Sequence, residues 1–237
     1  MITIELFTEM FPRGGWPPNG TLRSAAAREE LLGYLNTYMP RYEINTYLRV
    51  CGFFGCTAVE TAGYMTTIEV GPDSYFRRLY ELDRRKARML GNTQPGDGAR
   101  FRGRGLMQTT GRDNYQTFTN ATRSELDIDF TRHPERLAEI GIAAQSACFY
   151  WQWANLSQYA DESQWRRLNA RVNTGNANGS PVHWAERLAH TNRWLNRLPR
   201  DFTFEQPRVG ADARVAAGAS GSIGRVAEGL GKAGNRR

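Results

Sequence analysis

Residues 100–115, RFRGRGLMQTTGRDNY, carry the pattern that decides the fold of this chain. They combine glycines, arginines and neutral hydrogen-bonding side chains within one short segment. Gly103 and Gly105 allow the backbone to pass close to a ligand or to a packed helix. Sugar hydroxyls are bound by neutral donors and acceptors, so the composition indicates one wall of a carbohydrate-binding cleft, although a structural loop could have the same content. The neutral groups belong to Gln108, Thr109, Thr110, Asn114 and Tyr115.

The preceding residues, 91–98 (GNTQPGDG), are almost all turn-forming residues. Their glycine spacing does not match a dinucleotide-binding fingerprint, because Phe101 occupies the third glycine position after Gly96 and Gly98. The sequence therefore predicts an irregular loop here and gives no indication of nucleotide binding.

Farther upstream, Glu60 lies near the C-terminal end of a predicted helix. Thr46 is expected to cap this helix, which runs to about Ala62 and can be terminated by Gly63. The helix dipole and burial both disfavour a negative charge at this position, and so favour the protonated carboxyl group that a general acid requires. The alternative is a solvent-exposed glutamate at a frayed helix end.

Glu69 follows in the β-branched stretch 66–72 (TTIEVGP), which predicts a short strand or an extended loop. Because the helix is expected to break at Gly63, the chain can fold back and bring Glu69 opposite Glu60. Two carboxyl groups about 6.5 to 9.5 Å apart leave room for a water molecule, which is the arrangement of an inverting glycosidase. Glu81 is a second candidate for the base that activates this water.

The remaining sequence predicts a mainly α-helical fold. Apolar residues recur at helical spacing in 23–40, 134–151, 161–172 and 180–198. Pro40 is expected to end the first of these helices.

The chain divides by composition into a domain at 1–205 and a tail at 206–237 that is rich in glycine, alanine and arginine. Lysine and arginine outnumber the acidic residues, 31 to 24, so the formal net charge is +7, which attracts polyanions. The sequence lacks the familiar nucleic-acid-binding motifs, which leaves a bacterial envelope or an anionic membrane as the expected partner. The tail is interpreted either as flexible or as a contact for an outer-membrane lipid, a membrane surface or a virion protein.

Neither a metal nor an organic cofactor is expected. The cysteines, Cys51, Cys56 and Cys148, and the histidines show no metal-site spacing. No stretch is apolar enough to predict a membrane span, and the N-terminus does not match a signal peptide, so synthesis in a host cytoplasm is expected.

The stretch 90–115 (LGNTQPGDGARFRGRGLMQTTGRDNY) is similar, almost residue for residue, to the long signature of glycoside hydrolase family 19. The chain resembles this family, specifically the chitinase-like endolysins of bacteriophages, across roughly residues 1–200. Val59-Glu60-Thr61 corresponds to the family's His-Glu-Ser/Thr motif. The resemblance implies a lysozyme-like helical domain with a short β-hairpin or extended segment at its cleft.

The resemblance also implies roles for individual residues. Glu60 corresponds to the general acid and Glu69 to the carboxylate that activates water, while Thr110 occupies the position that helps to hold this water. Gln108 and Tyr115 match substrate-contacting positions in the cleft.

Further positions match the family beyond the signature. Asn173, in a stretch similar to Ile-Asn-Gly-Gly, is expected to bind sugar or an N-acetyl group. Arg187 matches an arginine in the charge network around the acid. The chain departs from the family at Val59, where a histidine is usual, and at Thr174, where a glycine is usual. Both carboxylates are kept, so activity is expected.

These features predict an inverting hydrolase that cleaves the β-1,4 bonds of bacterial peptidoglycan. The phage-type signature and the basic charge favour peptidoglycan over chitin. Action in the periplasm would follow release by a holin or delivery inside a virion. The alternatives are a chitinase, and a virion structural or wall-binding protein with little activity.

Overall fold

The computed structural model describes residues 1–12, 14 and 17–204, which form the predicted, mainly helical fold. The predicted tail at 206–237 lies outside them. Within the described ranges, none of the helices has the length and apolarity needed to cross a membrane. A π-helical turn (Arg78–Leu82) and a 3-10 turn (Pro134–Ala138) accompany the α-helices. The α-helices are α1 (Ile4–Met10), α2 (Ala25–Arg41), α3 (Tyr47–Glu60), α4 (Asp73–Arg77), α5 (Arg84–Met89), α6 (Asp97–Arg100), α7 (Arg112–Leu126), α8 (Ile140–Trp153), α9 (Ser157–Asp161), α10 (Trp165–Thr174) and α11 (Trp184–Arg197).

Local sequence explains where α2 and α3 begin. Ser24 caps α2 by accepting a hydrogen bond from the backbone of Ala27, and Pro40 is the last residue but one of this helix. Thr46 precedes α3 as predicted, but its side chain makes no capping hydrogen bond. Its backbone instead forms a β-bridge with Thr203.

The C-terminal end of α3 carries Glu60 as its last helical residue. The chain then turns through Ala62 (φ 52°) and Gly63 (φ 73°), both in the left-handed region. The helix therefore breaks where the sequence predicts, although it ends before Ala62 rather than at it. This break lets the following segment return toward the end of α3.

Three predicted helix starts lie elsewhere in the structure. The helix predicted from Pro134 begins as a 3-10 turn, and α8 starts only at Ile140. Asp161 ends α9 instead of capping the next helix, and its carboxylate pairs with Arg49 at 2.7 Å. α11 starts at Trp184 rather than at residue 180, because His183 before it has a left-handed backbone (φ 57°).

The core is built around α3, whose small residues let α11 pack closely. A Cβ atom added to Gly55 would lie 2.0 Å from Oγ1 of Thr191 on α11. Phe54 stacks on Trp194 of α11 with ring centroids 4.3 Å apart. α3 is deeply packed, since residues 50–58 are all buried.

Gly55→Ala is expected to destabilise the fold by about 1 to 3 kcal/mol, because the added methyl group overpacks the contact between α3 and α11. The measurement is the free energy of unfolding from urea denaturation. Gly33→Ala in α2 is the control, since nothing lies within 4 Å of its added atom. Equal stability of the two variants would contradict the close packing at Gly55.

A short antiparallel arrangement holds Glu69 at the cleft. Ile68 and Thr109 each form a β-bridge with Arg104. The backbone N–H of Glu69 donates to the carbonyl oxygen of Gly103 at 2.8 Å. The predicted extended segment is therefore confirmed. It attaches Glu69 directly to residues 103–111, which we call the glycine-rich loop.

Candidate active site

Glu60 at the end of α3 lies in a polar cluster rather than in solvent. Its side chain is 9% exposed, and Nη2 of Arg187 on α11 donates to its Oε1 at 2.5 Å. Arg187 is itself buried and donates through Nε to the carbonyl oxygen of Val182 at 2.9 Å. The remaining terminal nitrogen of Arg187 is buried without a hydrogen-bond partner among the described residues. A frayed, solvent-exposed Glu60 is therefore excluded.

Glu69 is buried, with 5% of its surface exposed. The Tyr80 hydroxyl donates to Oε1 at 2.8 Å, and the Gly103 backbone N–H donates to Oε2 at 3.0 Å. Burial raises the pKa of Glu69, and these two hydrogen bonds, together with the charges of Lys86 and Arg102, oppose the rise. A carboxylate with a raised pKa is a stronger base, which suits proton abstraction from water.

Tyr80 binds Glu69 and also lies within the electrostatic influence of Glu60. Burial chiefly raises its pKa, and the negative charge of Glu69 and, more weakly, that of Glu60 add to the rise, so the phenol remains a hydrogen-bond donor. Both carboxylates therefore act electrostatically on this hydroxyl group, but only Glu69 binds it. Sequence analysis missed Tyr80, since it lies in a π-helical turn 11 positions after Glu69 and no motif surrounds it.

Tyr80→Phe is expected to lower kcat/KM by about tenfold, because Glu69 loses one of the two hydrogen bonds that orient its carboxylate. That bond lowers the pKa of Glu69, so its removal raises the pKa. Glu69 is then protonated over a wider acidic range, and the acidic limb of the pH–rate profile moves to higher pH. The measurement is kcat/KM as a function of pH. A lower rate with an unchanged acidic limb would contradict a role for Tyr80 in holding the base.

Gln108 and Thr110 lie in the glycine-rich loop beside Glu69. Thr110 is buried, and its hydroxyl donates to the carbonyl oxygen of Gln108 at 2.9 Å. Gln108 has a left-handed backbone (φ 52°), and its side chain donates to the carbonyl oxygen of Gly105 at 3.0 Å. A Cβ on Gly103 would lie 2.7 Å from Oε1 of Gln108 and 3.1 Å from Oε2 of Glu69, so these two side chains flank Gly103. The roles of Gln108 and Thr110 toward substrate and water stay predictions.

Tyr115 and Asn173 both support loops in this structure. Tyr115 is completely buried, and its hydroxyl donates to the carbonyl oxygen of Arg102 at 2.8 Å and accepts from Nη1 of Arg104 at 2.9 Å. Asn173 is also buried, and its Oδ1 accepts from the backbone N–H of Val182 at 2.7 Å. Asn173 is thus linked, through Val182, to the arginine of the ion pair. Direct sugar contacts stay predictions for both residues.

The positions that depart from the family pattern lie close to these groups. Val59 directly precedes Glu60 and is half-buried. The Thr174 hydroxyl donates to the carbonyl oxygen of Ala170 at 2.8 Å and accepts from the N–H of Asn176 at 3.2 Å. The Thr174 hydroxyl therefore links the last turn of α10 to the loop that follows the helix.

Glu81, the second candidate base, is engaged by a different loop. Its Oε2 accepts from the backbone N–H groups of Gly96 at 3.0 Å and Gly98 at 3.3 Å. Arg77 lies 3.7 Å from Oε1. Glu81 therefore anchors the turn that precedes the glycine-rich loop.

Exposed arginines lie on α5, the helix that follows the π-helical turn carrying Tyr80. We call Arg84, Arg85 and Arg88 the α5 rim; all three are exposed and form no ion pair within the described part of the chain. Nζ of Lys86, on the same helix, lies 4.9 Å from the ring centre of Tyr80, whose hydroxyl binds Glu69. The rim therefore adds exposed positive charge to the helix that supplies Lys86 to the surroundings of Glu69.

The cluster can carry out proton transfer at two points. The carboxyl group of Glu60 faces the guanidinium of Arg187. That of Glu69 is buried and accepts hydrogen bonds from two neutral donors, so the environments of the two groups differ. Among residues 1–12, 14 and 17–204, no three His, Cys, Asp or Glu side chains are grouped as a metal site.

Known proteins resemble this chain in sequence and in fold. No protein-family model matches it. A glycosyl hydrolase family 19 domain-containing protein of Haemophilus influenzae is 26% identical over 198 residues, which cover 73% of this chain and 90% of that protein. Chitinase C from Streptomyces griseus has a TM-score of 0.56 at 15% identity, covering 82% of this chain and 75% of that chain. A family 19, class IV chitinase from Zea mays has a TM-score of 0.53 at 18% identity, covering 85% and 96% respectively.

Proposed function

We propose that this chain, a glycoside hydrolase that resembles family 19 in sequence and fold, cleaves the β-1,4-glycosidic bonds of bacterial peptidoglycan with inversion. The observation that carries the proposal is the pair of carboxylates, Glu60 and Glu69, each shielded from water and held by its own hydrogen-bond donors. The α5 rim supports peptidoglycan as the polymer.

Glu60 acts as the general acid in this proposal. The proton on its carboxyl group passes to the glycosidic oxygen as the bond between that oxygen and the anomeric carbon breaks. Arg187 then faces the carboxylate that remains and stabilises its charge. Because the pair is shielded from water, this stabilisation is stronger than it would be at an exposed site.

Glu69 acts as the base. It takes a proton from a water molecule whose oxygen attacks the anomeric carbon on the face opposite the leaving group, which inverts the configuration. Tyr80 and Gly103 orient the carboxylate by binding one oxygen each. Glu81 instead binds the turn at Gly96 and Gly98 and lies 3.7 Å from Arg77, so we assign it the anchoring of that turn. Thr110 is proposed to help hold the water.

The α5 rim favours an anionic glycan. Peptidoglycan carries carboxylates on its stem peptides, whereas chitin is uncharged. The exposed arginines of α5, the helix that follows Tyr80, attract such carboxylates to this side of the protein. The net charge of +7 acts in the same direction.

The proposal is tested by incubating the protein with purified Gram-negative peptidoglycan and, separately, with N-acetylglucosamine oligosaccharides. Mass spectrometry should find hydrated reducing-end muropeptides, and proton NMR should show the α anomer in the first products. Cleavage of the oligosaccharides alone would assign a chitinase. Absence of products from both substrates would favour a wall-binding or virion structural protein.

Arg84→Glu/Arg88→Glu is expected to lower kcat/KM on peptidoglycan by about tenfold at low salt, because the altered rim repels the stem-peptide carboxylates. The loss should shrink as salt is added. Arg123→Glu/Arg200→Glu makes the same charge change on exposed arginines outside α5 and should have a smaller effect. Equal losses in the two double variants would show an effect of net charge alone and contradict the role of the rim.

A further inference from the structure

A groove separate from the candidate active site lies between α2, the C-terminal end of α7 and the N-terminal end of α8. Its volume is about 610 Å³, which is in the range of ligand-binding sites. None of its lining residues belongs to the acid–base cluster. We call it the α2–α8 groove; its walls include Tyr34, Tyr38, Glu125, Glu139, Gly141 and Gln145.

Two tyrosines form one wall of the groove. Tyr34 and Tyr38 are one helical turn apart on α2, and their rings are parallel within 5° with centroids 6.0 Å apart. Tyr34 is 38% exposed. A Cβ at residue 141 would lie 2.8 Å from Cζ of Tyr34, so the ring lies directly against the backbone of α8. The tyrosine pair therefore presents aromatic surface to the groove, and the Tyr34 ring is held beside Gly141 of α8.

The groove also holds polar groups in fixed positions. Gln145 is 6% exposed, and its Nε2 donates to Oε2 of Glu125 at 2.8 Å. The Tyr42 hydroxyl donates to the same oxygen at 3.2 Å. Arg136 binds Glu139 through two hydrogen bonds of 2.9 and 3.3 Å. The donors and acceptors are thus oriented before any ligand binds, which lowers the entropic cost of binding.

The charge of the groove is opposite to that of the α5 rim. Glu30, Glu125 and Glu139 line it together with a single guanidinium, that of Arg136, among the described lining residues. The carboxylates of a ligand are therefore disfavoured in the groove, and an uncharged part of it, such as its sugar backbone, is favoured. Aromatic rings, carboxylates and an amide suit an uncharged sugar chain, because the C–H faces of sugar rings pack on aromatic rings and sugar hydroxyls donate to carboxylates.

We propose that the α2–α8 groove is a second glycan-binding site, which holds a strand of β-1,4-linked N-acetylated amino sugars without cleaving it. The choice of this glycan rests on the proposed function, whereas the carbohydrate class rests on the groove itself. Two contact points on one insoluble polymer raise the effective concentration of the polymer at the active site. The groove would thus retain the enzyme on the polymer between cleavage events.

The test is NMR of isotope-labelled Glu60→Gln protein titrated with tetra-N-acetylchitotetraose. We expect the side-chain amide of Gln145 to shift, together with the backbone amide of Gly103 at the active site. When Tyr34→Ala/Tyr38→Ala is added, the Gln145 shift should vanish and the Gly103 shift should remain. Tyr34→Phe/Tyr38→Phe should keep both shifts, because the aromatic faces are retained.

Binding to purified peptidoglycan sacculi gives a second readout. Tyr34→Ala/Tyr38→Ala should bind about tenfold more weakly than Tyr159→Ala, which removes a half-buried ring outside the groove. An unshifted Gln145 amide, or equal sacculus binding by these variants, would overturn the proposal. A Gln145 shift in a protein whose wild type cleaves no glycan would instead contradict the proposed function and support the groove as a glycan site.

Discussion

Glu60→Gln is expected to lower kcat on peptidoglycan by about 10² to 10⁴, because the variant keeps the shape of the acid but has no proton to give. KM should change little, since the lost interaction belongs to the transition state. The amide oxygen can still accept the hydrogen bond from Arg187, which keeps the buried guanidinium partnered. The measurement is the rate of muropeptide release at saturating substrate.

A control variant separates the loss of the proton donor from the loss of one negative charge. Glu162→Gln removes a negative charge from an exposed glutamate that follows α9, and it should retain the wild-type rate. Thermal denaturation of both variants checks folding, because weakening a buried ion pair also costs stability. A folded Glu60→Gln protein that cleaves peptidoglycan at the wild-type rate would show that another group is the acid.

Gly103→Ala is expected to lower kcat/KM by about 10²-fold, because it displaces the base without removing a charge. The added Cβ would lie 2.7 Å from Oε1 of Gln108 and 3.1 Å from Oε2 of Glu69. Gly103 also donates its N–H to Glu69 at 3.0 Å, so a backbone shift that relieves the contact also disturbs this hydrogen bond. Gly33→Ala is the control, since its added atom meets nothing within 4 Å. The measurements are kcat/KM and the free energy of unfolding.

A double variant distinguishes the two contacts. Gln108→Ala removes the side-chain atom nearest to the new methyl group, so that Gly103→Ala/Gln108→Ala keeps only the contact with Glu69. If displacement of the base limits the rate, the kcat/KM of the double variant should remain well below that of Gln108→Ala alone. Activity of Gly103→Ala equal to that of Gly33→Ala would contradict the position proposed for the base.

Sequence analysis could locate the carboxylates but not their surroundings. The stretch around Glu60 was compatible with a buried acid and with a frayed, exposed residue. The buried guanidinium of Arg187, 127 positions away, excludes the exposed alternative. The helix start expected at Asp161 was wrong for a similar reason, since that carboxylate pairs with an arginine from α3.

The sequence by itself determined the mainly helical fold, the break at Gly63 and the extended segment that carries Glu69. These features depend on helix propensity, on the ability of glycine to adopt a left-handed backbone and on the preference of β-branched residues for extended backbone. All three are properties of a residue and its near neighbours in the sequence. Only the tertiary structure decided that Arg187 and Tyr80 hold the carboxylates, and that α2, α7 and α8 enclose a second groove. The physical reason is that these contacts join groups on separate helices and turns, whose approach is set by the packing of whole elements and not by local sequence patterns.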